Sequence, residues 1–178
     1  MSARALGAMV KGMGEQSFDE LLPWLMSTLT SESSSVDRSG AAQGLAEVVG
    51  GLGVEKMHKL MPEIVSTAER MDIAPHVKDG YIMMFIYMPA VFPDHFKDYI
   101  GQAVKPILRA LADENEFVRE TALRAGRYKI IDHYMNILDL FRSENRQHVC
   151  RHRYHPPPAS TRGNFHQYFH FIISIYTK

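Results

Sequence analysis

Three stretches of this chain are variations on one another, and that recurrence constrains its fold more than any single motif. They read SESSSVDRSGAAQGL from Ser31, MDIAPHVKDGYIMMF from Met71 and ADENEFVRETALRAG from Ala112. A basic residue recurs at Arg38, Lys78 and Arg119, spaced by 40 and then 41 residues. An acid stands six places before each one, at Glu32, Asp72 and Asp113. Upstream of each segment an apolar helix is expected with a proline near its start: LLPWLMSTL, LMPEIVSTA and VKPILRAL, with Pro23, Pro62 and Pro106. A period near 40 residues is the mark of a stacked array, in which each supersecondary unit is too small to bury its own apolar face.

Each unit reads as two antiparallel helices. In the first unit, Leu21, Leu22, Leu25 and Leu29 share one face of a helix over about Phe18–Leu29, the spacing expected of an amphipathic helix. Its partner is expected from about Val36 to Leu52, capped by Ser34 with Asp37 completing a capping box. Gly50, Gly51 and Gly53 are expected to end it. In the second unit Pro75 suits a first helical position. In the third, Asn115 is the expected cap. The run YIMMFIYMPAVF from Tyr81 to Phe92 is apolar nearly all round. A helix of that kind must be covered on several sides, which a middle helix of a stack is. At 12 residues it is also too short to span a bilayer. The alternative architecture is a compact helical bundle with accidental internal similarity.

A basic residue near a helix start opposes the helix dipole, so a carboxylate partner is expected for each. Stacking would then string Glu32, Arg38, Asp72, Lys78, Asp113 and Arg119 into an ion-pair ladder along one edge. Exposed pairs of this type are worth about 0–1 kcal/mol each. Such a ladder would fix register while apolar stacking supplied the stability.

The phrase DENEFVRETALRAG, preceded by PILRAL, resembles the HEAT-repeat pattern of a proline helix, an acidic turn, then Val-Arg and Ala. The expected fold is therefore an all-α superhelix, a HEAT-repeat or armadillo-like solenoid of about three and a half helix-pair units. Its concave face would be built mainly by the second helices. Within that family, RSGAAQGLAEVVGGLGVEK, IAPHVKDGYIMMF and ALADENEFVRETALRAG resemble the large HEAT-repeat translational activators of the kinase that phosphorylates initiation factor 2 alpha in amino-acid starvation. The resemblance runs from about Ser2 to Tyr134. It implies a cytoplasmic, non-catalytic scaffold segment whose partners are the ribosome, a protein kinase and an ATP-binding-cassette protein. Arg38, Lys78 and Arg119 inherit only the repeat's structural basic position. The alternatives are a generic HEAT interaction module of another pathway, or an RNA-contacting tail.

The resemblance divides the chain into a solenoid segment, 1–134, and an atypical basic, His-rich tail, 135–178, expected to be disordered or poorly packed. The chain opens as a second helix without a first, and after Tyr134 it leaves the family pattern. It therefore reads as a partial product of a longer protein with a divergent or misjoined end. The first region carries 14 Lys and Arg against 18 Asp and Glu; the tail carries 6 against 2. Only the tail invites an RNA contact, weak and through Arg142, Arg146, Arg151, Arg153 and Arg162.

No cofactor, metal or catalytic centre is expected. Cys150 sits among His148, His152 and His155, but H-x-C-x-H-x-x-H lacks the paired spacing that grips zinc. His166 and His170 lack the Glu of an HExxH helix. The carboxylate pairs Asp19 with Glu20, Asp94 with Asp98, and Asp113 with Glu114 fall at helix starts or on faces expected to be solvated. GMGEQS and GGLGVEK lack the spacing of a phosphate-binding loop.

Overall fold

The computed structural model describes residues 2–14, 16 and 20–127. They belong to the first of the two units into which the chain divides, Met1–Ile137. The 135–178 tail, with Cys150 and its neighbouring histidines, lies outside the described residues.

Among the described residues the fold is all-α. The helices are α1 (Ala3–Met13), α2 (Leu21–Leu29), α3 (Ser35–Leu52), α4 (Val54–Ala68), α5 (Pro75–Val91), α6 (Ile100–Leu111) and α7 (Glu116–Arg127), with a 3-10 turn at Phe96–Tyr99 leading into α6. The second helices of successive units form one row, α1 on α3, α3 on α5 and α5 on α7. The first helices α2, α4 and α6 pack against the row, α2 on α3, α4 on α3 and α5, and α6 on α7. This is the arrangement of an α-α superhelical solenoid. Helix α1 occupies the place of a second helix.

Local chemistry sets the helix starts. Ser2 Oγ accepts from the Ala5 N–H at 3.3 Å. Ser34 Oγ accepts from the Asp37 N–H at 3.2 Å and donates to its carboxylate at 2.9 Å. Asn115 Oδ1 accepts from the N–H groups of Phe117 and Val118 at 3.0 and 3.4 Å. Each satisfies donors that a helix start leaves without an intrahelical partner. Pro75 takes the first position of α5, where no N–H is needed.

Two expectations are corrected. Only Pro23 lies in a first turn. Pro62 and Pro106 sit inside α4 and α6, because those helices begin a turn or more earlier than the repeat suggested. Nor do Gly50 and Gly51 stop α3. The helix runs through both to Leu52, and Gly53, at φ 100°, makes the break. The other two glycines are there for close approach. A Cβ on Gly51 would strike the Gly7 carbonyl of α1, and one on Gly50 would strike Val91 of α5.

The core runs along the row. Tyr81, Ile82, Met83, Met84, Phe85, Ile86 and Met88 of α5 are all buried, on every side of the helix. Leu45, Val48 and Val49 are buried in the neighbouring α3, and Val118, Ala122 and Ala125 in the neighbouring α7. Each fully buried large side chain contributes about 1.5–3 kcal/mol relative to exposure. Gly80 lets α5 reach the end of α2, where an added Cβ would collide with the Leu29 carbonyl. Gly80→Ala should therefore lower the melting temperature. Overpacking costs about 1–3 kcal/mol and outweighs the roughly 1 kcal/mol gained in helix propensity. A thermal scan showing a higher melting temperature would mean the two backbones are further apart than described.

Candidate functional site

The charged residues singled out by the repeat converge on the edge where first helices turn into second helices. There the α3, α5 and α7 N-termini lie side by side. Arg38, Lys78, Asp79 and Thr121 are the buried polar side chains of the described residues.

Asp79, in the first turns of α5 and 1% exposed, is the centre. Arg38 of α3 donates to its Oδ2 from Nε at 3.0 Å, and the Nη2 nitrogen lies 2.9 Å from the same oxygen. Thr121 of α7 donates to Oδ1 at 2.6 Å. One carboxylate thus ties three successive second helices together. Both of its oxygens are satisfied, as a buried charge requires. The Asp79 charge also lies near a helix N-terminus, where the dipole favours it. Arg38 spends its remaining nitrogen, Nη1, on the carbonyls of Ser31 and Ser33 in its own turn. A second α3–α5 link joins the Ser39 and Tyr87 hydroxyls at 2.7 Å.

The expected ladder is therefore corrected at several rungs. Arg38 meets Asp79, not Asp72. Asp72 is paired within its own turn by Arg70, two hydrogen bonds at 2.9 and 2.7 Å, both residues exposed. That contact, led by the Arg70 hydrogen bond, holds the Asp72 carboxyl down at about 2. Lys78 and Asp113 do meet, Nζ to Oδ2 at 2.8 Å, across 35 residues. Arg119 reaches the carbonyls of Asp113 and Glu114 at 2.8 Å each, and not the Asp113 carboxylate. Glu32 lies exposed at its turn. The physical reason is common to Arg38 and Arg119. A basic residue one turn into a helix is close to the carbonyls of the turn behind it. For Arg119 those oxygens offset the dipole penalty in place of a carboxylate; for Arg38 they act together with Asp79.

Asp113 is also not on a solvated face, since its side chain is only 14% exposed. Burial pushes its carboxyl up, but the Lys78 hydrogen bond, the Asn115 N–H and the charges of Lys78 and Arg119 together hold it below the ordinary value. A carboxyl depressed on folding adds stability that is complete above its unfolded value, about 4, and is lost as pH falls through the folded value. Asp113→Ala should therefore cost about 1.5–3 kcal/mol near neutral pH. In urea unfolding the gap between wild type and variant should narrow steadily below pH 4. A gap that is constant with pH would mean the carboxylate is not ionised in the pair.

An open cleft of about 450 Å³ runs along this edge, lined among others by Glu32, Ser35, Arg38, His76, Asp79 and Phe117. The arrangement has the marks of a structural clamp beside a surface groove. The buried carboxylate is fully hydrogen-bonded, and no buried side-chain polar atom among the described residues lacks a partner. Among the described residues no group of His, Cys, Asp and Glu is set to hold a metal ion. No helix there is long and apolar enough to cross a membrane.

Comparison with known proteins gives a consistent picture. The chain is 70% identical over 134 residues, 75% of its length, to the stalled ribosome sensor GCN1 of Homo sapiens, and equally to that of Mus musculus. It is 39% identical over 143 residues, 80% of its length, to the eIF-2-alpha kinase activator GCN1 of Saccharomyces cerevisiae. Each match covers 5% of the relative's own length. No family model and no solved structure matches.

Proposed function

Starting from a chain similar to a segment of the GCN1 proteins, we propose that it is a non-catalytic scaffold segment of a ribosome-associated activator of a translation-control kinase. The observation that carries this reading is the 70% identity over 134 residues to relatives named as stalled ribosome sensors. The similarity to a relative named as an eIF-2-alpha kinase activator supports the kinase side of it. The site chemistry agrees. Asp79, Arg38, Lys78 and Asp113 are committed to holding helices together, which suits a rigid spacer and docking frame better than a reaction centre.

On this reading the chain works in the cytoplasm during amino-acid starvation and the wider stress response. Its protein partners are the kinase and an ATP-binding-cassette protein, as the resemblance to the large translational activators implies. The basic tail adds a weak RNA contact. The chain spans about one-twentieth of its relatives' length, so its share of the work is to position partners.

Sucrose-gradient sedimentation of the tagged chain from cell extract tests the proposal. The expected result is co-sedimentation with ribosomes that declines as salt is raised. A chain found only in the light fractions at low salt, while other cellular proteins are retained on it, would favour an interaction module of another pathway.

A further inference from the structure

Three of the large apolar side chains that remain exposed stand on one edge of the stack: Val36 at 75%, Met71 at 74% and Phe117 at 61%. Val36 and Phe117 occupy the same position of the repeat, two residues before Arg38 and Arg119, and His76 holds that position in the unit between. His76 and Phe117 also line the 450 Å³ cleft. Exposed apolar side chains gathered beside a groove mark an interaction surface more than scattered ones do.

The charges around the groove are one-sided. Arg38 and Lys78 are neutralised by Asp79 and Asp113, and Arg70 by Asp72. Glu32 lines the cleft, and Asp37, Glu114 and Glu116 stand exposed in the adjoining turns and helix starts, against Arg119, bound to backbone carbonyls, and Arg109, exposed in the last turn of α6. The cleft thus has a largely polar lining, with Pro75 and Phe117 as its apolar members, and exposed Val36 and Met71 stand at the same edge among exposed acids.

We infer that this edge docks a basic, amphipathic segment of a protein partner, laid extended across the three turns. Packed helices stand about 8–10 Å apart. A polyproline-type extended segment returns to the same face every third residue, a rise of about 9 Å. Apolar side chains at every third position therefore meet Val36, His76 and Phe117 in succession, and Lys or Arg between them face the acids. The same acids repel a phosphate backbone. The inference rests on the scaffold reading for the existence of a protein partner; the location and chemistry come from the groove.

The test is fluorescence anisotropy on the full chain. The probe is a labelled ten-residue peptide with Leu at every third position and Lys or Arg between. The controls are the same peptide with Glu in place of the basic residues and a labelled oligouridylate. The basic probe should bind. Phe117→Ser and Glu116→Lys should each weaken it about tenfold, the loss typical of an interface anchor. Glu55→Lys, exposed on α4, should leave it unchanged, and circular dichroism should report intact helices in all three. Equal affinity across the variants, preference for the acidic peptide, or oligouridylate binding with the same losses would overturn the inference. If the probe fails but ribosome co-sedimentation holds, the docking surface falls and the scaffold reading stands. If the probe binds as expected and co-sedimentation fails, the surface stands and the ribosomal assignment falls.

Discussion

Asp79→Ala is expected to lower the unfolding free energy by about 3–5 kcal/mol, the cost of leaving a buried charge without its partner. Arg38 is 6% exposed and cannot reach water without moving. Thr121 loses its acceptor at the same time. Against a total stability of about 5–15 kcal/mol for a domain, that loss is a large fraction, and it should appear in urea unfolding as a fall in midpoint. The double variant Arg38→Met with Asp79→Ala should recover much of it, because no buried charge is then stranded. Two single losses that simply add in the double variant would show that the two side chains are not coupled. Destabilisation below 1 kcal/mol in the single variant would place Asp79 in solvent.

Phe85→Ala is the second large effect, about 3–5 kcal/mol for removing a core phenylalanine. Phe85 is wholly buried at the middle of α5, with α3 and α7 on either side. The neighbours belong to two different units, so the cavity cannot be closed by the settling of one helix. Phe117→Ala is the internal control. It also sits on a second helix, but at 61% exposure its loss should change stability by no more than about 0.5 kcal/mol. Comparable effects from the two substitutions would mean that α5 is not the covered middle of the row.

The repeat made the helix pairs legible because its period and its apolar faces record the same demand, that each unit lean on the next. The all-round apolar character of Tyr81–Met88 pointed to the most covered helix for the same reason. What the sequence obscured was the partner of each charge. The acid six residues before each basic position recurs in all three units and so carries the stronger sequence signal. The acid at Asp79 is matched in only one other unit: the corresponding residues are Ser39 and Glu120. A signal was nonetheless present. Asp79 precedes the run GYIMMF, and a carboxylate at the mouth of so apolar a helix has to be paired if it is buried. Helix lengths around Pro62 and Pro106 were hidden because proline usually marks a first turn, whereas here the buried Met57, Met61, Ala103 and Val104 hold helix on the N-terminal side of each proline or through it. Gly50 and Gly51 are ambiguous in sequence because glycine serves both to end a helix and to admit a neighbour. Only the positions of α1 and α5 distinguish the two.

Native-state hydrogen exchange on the wild type and on Asp79→Ala tests the stacked row most directly. Amides of α3, α5 and α7 should share the highest opening free energy in the wild type. In the variant all three helices should lose protection together, since one carboxylate joins them. Faster exchange confined to α5, with α3 and α7 unchanged, would contradict a row held in register across its units.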